Sequence, residues 1–223
     1  MLLKPSVNMS AGLPTAWLVS LRRSLGRRLL GRGKPRPAAT WDAQYRSGTW
    51  DGIVAEIERH ACIASLVRRF GPERPFVLDV GCGQGALARQ LRGDACGPYV
   101  GIDISSEAIT RAAKDGAQGE SFHAVDAEAG PPSFVAPGSV DAAVFSEVLY
   151  YLDDPLETLR RFAPLLSPRG FFVFSLWKPT RHRALRRRLC RAYDETCVRE
   201  VGSGNTWRIS VAALRGRSLS GGA

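Results

Sequence analysis

Seven residues, Asp79-Val80-Gly81-Cys82-Gly83-Gln84-Gly85, form the pattern in this chain best suited to chemistry. Glycines at alternate positions let a backbone turn sharply and approach a bound molecule closely. With a strand before the loop and a helix after it, the first helical turn offers free N–H groups to polar ligand atoms. Asp103 follows 18 residues beyond Gly85, and an acid at the end of the next strand can accept both hydrogen bonds of a ribose diol. Loop and acid together point to an adenosine-containing ligand; a glycine-rich turn beside a capping Asp is the plainer alternative. Dinucleotide sites use G-x-G-x-x-G, in which the backbone approaches a pyrophosphate. Gly81, Gly83 and Gly85 are spaced one residue tighter and follow Asp79, which suits a cationic amino group better than a phosphate.

The surrounding pattern supplies the elements that such a loop needs. Residues 76–80 are a short apolar run stopped by Gly81 and predict the first strand; a helix follows over 86–91. Strands are predicted at 99–102, 122–125, 140–145 and 171–177, with helices at 106–114 and from 155 to about 163. Asp154-Pro155-Leu156-Glu157 marks that last helix start, with Asp as N-cap and Pro in the first turn. Ser167-Pro168-Arg169-Gly170 predicts a turn. Near-continuous apolar strands separated by helices indicate a parallel sheet covered on both faces. Residues 196–200 and 206–211 alternate with a period of two around a turn at 202–205, an antiparallel hairpin. The fold class is therefore α/β: a doubly wound, seven-stranded sheet, mostly parallel, with a C-terminal antiparallel hairpin.

With these features the chain resembles the class I S-adenosylmethionine-dependent methyltransferases over about residues 41–213. The resemblance is carried by residues 77–85 (VLDVGCGQG), 100–105 (VGIDIS), 140–147 (VDAAVFSE) and 165–171 (LLSPRGF). It implies a Rossmann-like fold and S-adenosyl-L-methionine as cofactor. It also implies roles. Gly81, Gly83 and Gly85 would face the methionine part, and Asp79 would hold its amino group through water. Asp103 would bind the ribose hydroxyls and Ile104 would pack on the adenine. Asp126 would accept from the adenine amino group beside the Ala127 backbone N–H; a plain loop acid is its other reading. Ser146, at the end of the fourth strand, is counted with these cofactor-binding residues.

A doubly wound sheet opens its crevice at the carboxyl ends of the strands, where the strand order reverses. In the family that point lies between the first and fourth strands. The fourth runs into Ser146-Glu147-Val148-Leu149-Tyr150-Tyr151-Leu152. Methyl transfer is an in-line displacement at a sulfonium carbon, so the protein must align an acceptor, exclude water and in some cases take a proton. Glu147 is the candidate base or acceptor-orienting group. Tyr150 is its candidate catalytic partner, and with Tyr151 it either shapes the pocket or faces the core. The segment is also similar to that of the NodS-type N-methyltransferases, which act on an amino sugar of lipo-oligosaccharides. No Asn/Asp-Pro-Pro-Tyr/Phe segment follows the fourth strand, no cysteine there could attack a pyrimidine, and no acidic cluster suggests a metal. Trp41, Tyr45, Arg46 and Trp50 stand where the family often has a lid; docking of their aromatic stripe on the core is the alternative. Arg59 and His60, on a helix predicted over 53–69, read as contacts to the cofactor carboxylate or as a solvated helix face. His123 reads as packed in a strand, and His182 as an acceptor contact.

Composition bounds these readings. The chain has 223 residues, 44% of them hydrophobic, enough for one domain with a proper core. Its net charge of +10 is local. Residues 1–40 hold eight basic residues and no acid, and residues 178–191 hold seven more and no acid, so the rest is mildly acidic. A nucleic-acid binder spreads a basic face over its fold, so nucleic acid is the disfavoured partner. Residues 1–40 are expected to be a loosely ordered basic appendage ending in a Gly/Pro-rich linker at 31–37, with the methyltransferase-like domain over 41–223. Leu18, Leu21, Leu25 and Leu29, interleaved with arginines, would also suit a helix lying on an anionic membrane surface or a targeting segment. The basic run 178–191 reads as a solvated helix face, or as a site for an anionic acceptor, membrane or RNA. Five cysteines without a Cys-x-x-Cys pair suggest reduced thiols in a cytoplasmic chain. The expected function is methyl transfer to a small-molecule acceptor (saccharide, amine or lipid-linked). The competing readings are an RNA or protein methyltransferase, a nucleotide-dependent oxidoreductase and a non-catalytic scaffold of the same fold.

Overall fold

The computed structural model of the chain describes residues 27, 31–52, 57–93, 97–202, 206–216 and 219. Leu18, Leu21, Leu25, Leu29, Cys96, the helix start expected at 53 and the hairpin-turn residues 203–205 lie outside them. Helices α1 (Ala38–Arg46) and α2 (Ile57–Phe70) precede the sheet. Then β1 (Val77–Val80), α3 (Ala86–Leu91), β2 (Tyr99–Asp103), α4 (Ser106–Lys114), β3 (Glu120–Ala124) and β4 (Val140–Ser146) alternate. They are followed by α5 (Pro155–Phe162), β5 (Leu166–Trp177), α6 (Arg183–Ala192), β6 (Tyr193–Val201) and β7 (Trp207–Leu214).

The seven strands make one sheet in the order β3-β2-β1-β4-β5-β7-β6. Strands β1 to β5 pair in parallel, and β7 runs antiparallel to both β5 and β6. The order turns back at β1, which has β2 on one side and β4 on the other, and that opens a crevice at their carboxyl ends.

Apolar residues fill both faces with the strand period of two. Leu78, Val80, Phe145, Phe172 and Phe174 pack with Leu159 and Phe162 of α5 and Leu185 and Leu189 of α6. Val77, Val144, Phe171 and Val173 pack on the other face with Ile63 and Val67 of α2 and Leu87 of α3. Sheltering on both faces explains why these strands read as unbroken apolar runs rather than alternating ones. Among the described residues no helix is long and apolar enough to cross a membrane.

Three sequence expectations are corrected. The turn expected at Ser167-Pro168-Arg169-Gly170 is absorbed into β5, because Leu166 already pairs with Val140 and the register then shifts before Ala142 meets Phe171. β6 begins at Tyr193, before the expected residue 196, and the pairing slips between Glu195 and Cys197. The segment expected as a linker at 31–37 is irregular, yet its beginning is packed. Gly31 and Gly33 are buried, Lys34 N–H donates to Tyr150 O at 3.0 Å, and Arg188 donates to Gly31 O at 3.2 Å. A Cβ on Gly33 would collide with the Leu152 backbone, which keeps this strap seated on the loop after β4.

Candidate active site

At the end of β1 the chain must turn without blocking the crevice. Gly81 and Gly83 do this at φ +74° and +54°, a region L side chains rarely adopt. Space demands glycine as well. A Cβ on Gly81 would collide with Cγ2 of Val148, and one on Gly83 would lie 2.9 Å from the Tyr45 hydroxyl oxygen. The loop is tied to β2 by Gly81 N–H and Cys82 N–H, which donate to Ile102 O at 2.7 and 3.0 Å. Gly85, expected to face a ligand, points elsewhere: a Cβ there would meet Phe122 and Ala112 at 3.3 and 3.4 Å. It is absent from the cavity wall and allows close packing of the α3 start on α4 and β3.

Around this loop lies a cavity of about 430 Å³, within the range of about 300–1,000 Å³ typical of small-molecule sites. Asp79, Gly81, Gly83, Asp103, Ile104, Asp126, Ala127, Ser146, Glu147 and Tyr150 all line it, so the fold gathers ten of the eleven residues singled out for binding or catalysis. Asp79 is buried. Its Oδ2 accepts from the Tyr99 hydroxyl at 2.6 Å, while Oδ1 has no hydrogen-bond partner among the described residues. Burial pushes its pKa from 3.8 up to about 7, against the opposing pull of the Tyr99 hydrogen bond. Asp103 accepts Ser105 N–H on Oδ1 at 2.9 Å and Gly83 N–H on Oδ2 at 3.0 Å. Burial raises its pKa too, and those two bonds resist the rise. Each Asp103 oxygen keeps a second acceptor direction for a ligand hydroxyl. Asp126 is exposed and accepts Glu128 N–H at 2.8 Å, shaping the turn that carries Ala127 to the wall.

The other half of the cavity is built from the segment after β4 and from β5 and β7. Glu147 sits at φ +63°, a strained conformation for a residue with a Cβ. Its Oε1 accepts the Ser175 hydroxyl at 2.7 Å and its Oε2 the Tyr150 hydroxyl at 2.5 Å. Burial, and then the Glu147 carboxylate beside it, hold the Tyr150 phenol well above the usual tyrosine range, so it serves as a donor. The Tyr150 ring stacks on His182, with centroids 4.5 Å apart and planes 12° apart.

Arg59 and His60 are not on a solvated face: both are buried and line the cavity. Arg59 donates to Ser146 Oγ and lies 5.8 Å from the Trp207 ring centroid. Trp41, Tyr45 and Trp50 form part of the wall, whereas Arg46 is exposed and outside it. Asp42 fastens α1 to the start of α4, accepting from Ser105 Oγ at 2.6 Å and Glu107 N–H at 3.2 Å. His123 packs against Phe134 at 4.3 Å, away from the cavity. Sequence reasoning missed Arg36, Ser175 and the wall role of Trp177 and Trp207. Trp177 and Trp207 are direct partners in the β5–β7 register, a relation carried by strand pairing and not by spacing along the chain.

This is a Rossmann-like sheet with an acid-flanked glycine loop at its switch point, a nucleoside-binding architecture. A sequence model described as a methyltransferase domain matches residues 54–208, and the chain belongs to that family. Membership of a methyltransferase family, rather than an oxidoreductase one, argues against the oxidoreductase reading. Curated relatives include the ubiquinone biosynthesis O-methyltransferases of Albidiferax ferrireducens, 34% identical over 102 residues, and of Burkholderia multivorans, 37% identical over 102. Each match covers 44% of this chain and only 40% and 42% of the relative, so the chain spans about two fifths of their length. Among solved structures, the N-methyltransferase NodS of Bradyrhizobium japonicum WM9, bound to S-adenosylhomocysteine, aligns with a TM-score of 0.60 at 22% identity. That alignment covers 70% of this chain and 86% of NodS. The plantazolicin methyltransferase BpumL aligns with a TM-score of 0.57 at 13% identity, over 89% of this chain and 100% of its own.

The cavity fits the cofactor on its own evidence. Asp79 Oδ1 is a buried carboxylate atom without a hydrogen-bond partner among the described residues, and Asp79, Asp103 and the glycine loop line one cavity of about 430 Å³.

Proposed function

We propose that this methyltransferase acts on a small-molecule acceptor held between the glycine loop and the Glu147–Tyr150 pair. The cavity half at β1 and β2 binds the cofactor: Asp79 toward the amino group, Asp103 toward the ribose, Ile104, Asp126 and Ala127 around the adenine, and Gly81 and Gly83 along the methionine part. Arg59 and His60 meet the cofactor carboxylate beside Ser146. When bound, S-adenosylmethionine supplies an electrophilic methyl group on a sulfonium, whose sulfur keeps the bonding pair as the acceptor takes the methyl.

The chain's own residues do the rest. Glu147 accepts a hydrogen bond or the proton from the acceptor, and Tyr150 and Ser175 hold its carboxylate in place. Trp41, Tyr45 and Trp50 exclude water over the crevice. The single observation that carries this reading is the Glu147 carboxylate, held by two hydroxyls in the same cavity as the unpartnered Asp79 oxygen. Calorimetric titration with S-adenosylhomocysteine tests the cofactor half. Saturable binding is expected for the wild type and its loss for Asp103→Ala, with NADH giving no heat. Screening of hydroxylated and amino acceptors for methylation then tests the small-molecule half; transfer only to RNA or protein would overturn it.

A further inference from the structure

The cavity is divided by charge. The lining acids Asp79, Asp103, Asp126 and Glu128 all belong to β1, β2 and the segment after β3. On the half built after β4 and by β5 and β7, Glu147 is the one lining carboxylate among the described residues, and both its oxygens already accept hydroxyls. Cations gather around that half. Arg36 lines the cavity with its guanidinium 5.5 Å from the Trp41 ring centroid and 5.7 Å from that of Tyr151. Lys178 Nζ lies 4.3 Å, and the Arg181 guanidinium 5.8 Å, from the ring centroid of Trp177, itself a wall residue.

The same half is aromatic. Trp177 and Trp207 face each other across the β5–β7 register and both line the cavity; directly paired residues project to one face of a sheet. Among the described residues the buried Trp177 Nε1–H has no hydrogen-bond partner.

The acid half suits the cationic sulfonium and amino groups of the cofactor. The cationic half repels an amine that must approach as an ammonium and attracts an anion. Planar walls favour a planar ligand. A carboxylate base is also better matched to a phenolic hydroxyl, with an ordinary pKa of about 10, than to a far less acidic aliphatic one. We infer that the acceptor is an aromatic hydroxyl compound bearing an anionic substituent, carboxylate or phosphate. Its ring lies against Trp177 and Trp207, and its anion turns toward Arg36 and Lys178. This deepens the methyltransferase reading and rests on it.

The test is a charge series on one ring, titrated into the full chain saturated with S-adenosylhomocysteine at low ionic strength. The probes are 4-hydroxybenzoate, 4-hydroxybenzyl alcohol and 4-hydroxybenzylamine, with 4-hydroxyphenyl phosphate as the phosphate arm and glucose 6-phosphate as an anion without a flat ring. An aromatic anion is expected to bind about tenfold or more tighter than the neutral ring, the scale of one charge-assisted hydrogen bond. The ammonium should bind weakest. Whichever of the carboxylate and phosphate arms binds tighter identifies the anion. Arg36→Gln and Lys178→Gln should each erase much of that preference while leaving S-adenosylhomocysteine affinity within about twofold, which also certifies that the variants fold. Equal or tighter binding of the neutral or cationic ring overturns the inference. So does glucose 6-phosphate outbinding both aromatic anions, or the absence of any ring binding to protein that binds S-adenosylhomocysteine. A wild type that fails to bind S-adenosylhomocysteine instead overturns the methyltransferase reading beneath it.

Discussion

Ser175, wholly buried on β5, clamps Glu147 at two points: its hydroxyl donates to Oε1 at 2.7 Å, and its oxygen lies 3.1 Å from the Glu147 N–H that donates to it. The clamp holds Glu147 at φ +63°, a conformation that costs a residue with a Cβ about 1–2 kcal/mol. Ser175→Ala removes both contacts but keeps the backbone carbonyl to which the Glu147 N–H also donates, at 3.3 Å. It should destabilise the protein by about 1–2 kcal/mol in urea unfolding. It should also lower kcat more than it raises KM, because the carboxylate loses its fixed direction. An unchanged kcat would mean that the clamp serves only the fold.

Glu147→Gln keeps the shape of the side chain and removes its capacity to take a proton. A fall in kcat of about 100-fold or more is expected, with S-adenosylhomocysteine affinity unchanged. Tyr150→Phe keeps the ring that stacks on His182 and loses only the 2.5 Å donor to Oε2. Its loss in kcat should be smaller, and its rate should change with pH differently from that of the wild type. Steady-state rates from pH 6 to 9 separate the two variants. Equal rates for wild type and Glu147→Gln would remove Glu147 from the chemistry.

The glycine loop, Asp79 and Asp103 were legible because their chemistry is local: a tight turn after an apolar run leaves glycine little competition. In the other half Glu147 and Tyr150 were legible at the end of the fourth strand, but the residues that support them were not, and for identifiable reasons. Ser175 is one small polar residue inside the apolar run of β5, where period two gives its face but not its partner on β4. Arg59 and His60 lie on a helix whose sequence does not say which side meets the sheet, and burial followed from docking beside β4 and β7. Trp207 reaches the cavity only through its antiparallel register with Trp177. Gly170 shows the opposite failure. It read as turn chemistry, yet a Cβ there would lie 2.5 Å from Val140 O, so it serves close strand pairing.

Asp79 makes stability and binding depend on pH in opposite senses. Its folded pKa of about 7 stands above the ordinary 3.8, so between those values the folded protein holds a proton that the unfolded chain releases. Stability of the cofactor-free protein therefore falls as pH rises from about 4 to 7. Asp79→Asn, which imitates the protonated acid, should be more stable than wild type at pH 8 by about 2–4 kcal/mol and indistinguishable at pH 4. A bound cationic amino group favours the ionised carboxylate, so wild-type affinity for S-adenosylhomocysteine should increase from pH 6 to 8, with proton release on binding near pH 6.5. Calorimetry in two buffers of different ionisation enthalpy counts those protons. A pH-independent affinity would place the amino group elsewhere.

The lid can be tested through the contact between Tyr45 and Gly83. A methyl group added at Gly83 would approach the Tyr45 hydroxyl oxygen to 2.9 Å, closer than a carbon and an oxygen pack, and would also sit at φ +54°. Gly83→Ala therefore carries two separable costs: about 1 kcal/mol for the backbone, and displacement of Tyr45 with the α1 lid. Tyr45→Phe removes the obstructing oxygen and should by itself change cofactor affinity little. In the double variant the steric cost is relieved and the backbone cost stays. Affinity for S-adenosylhomocysteine should fall about tenfold or more in Gly83→Ala and recover partly in the pair, a coupling of about 0.5–1 kcal/mol or more in a double-mutant cycle. Strict additivity of the two substitutions would show that Tyr45 does not cover the loop in solution, and the aromatic lid would then have to close from Trp41 and Trp50 alone.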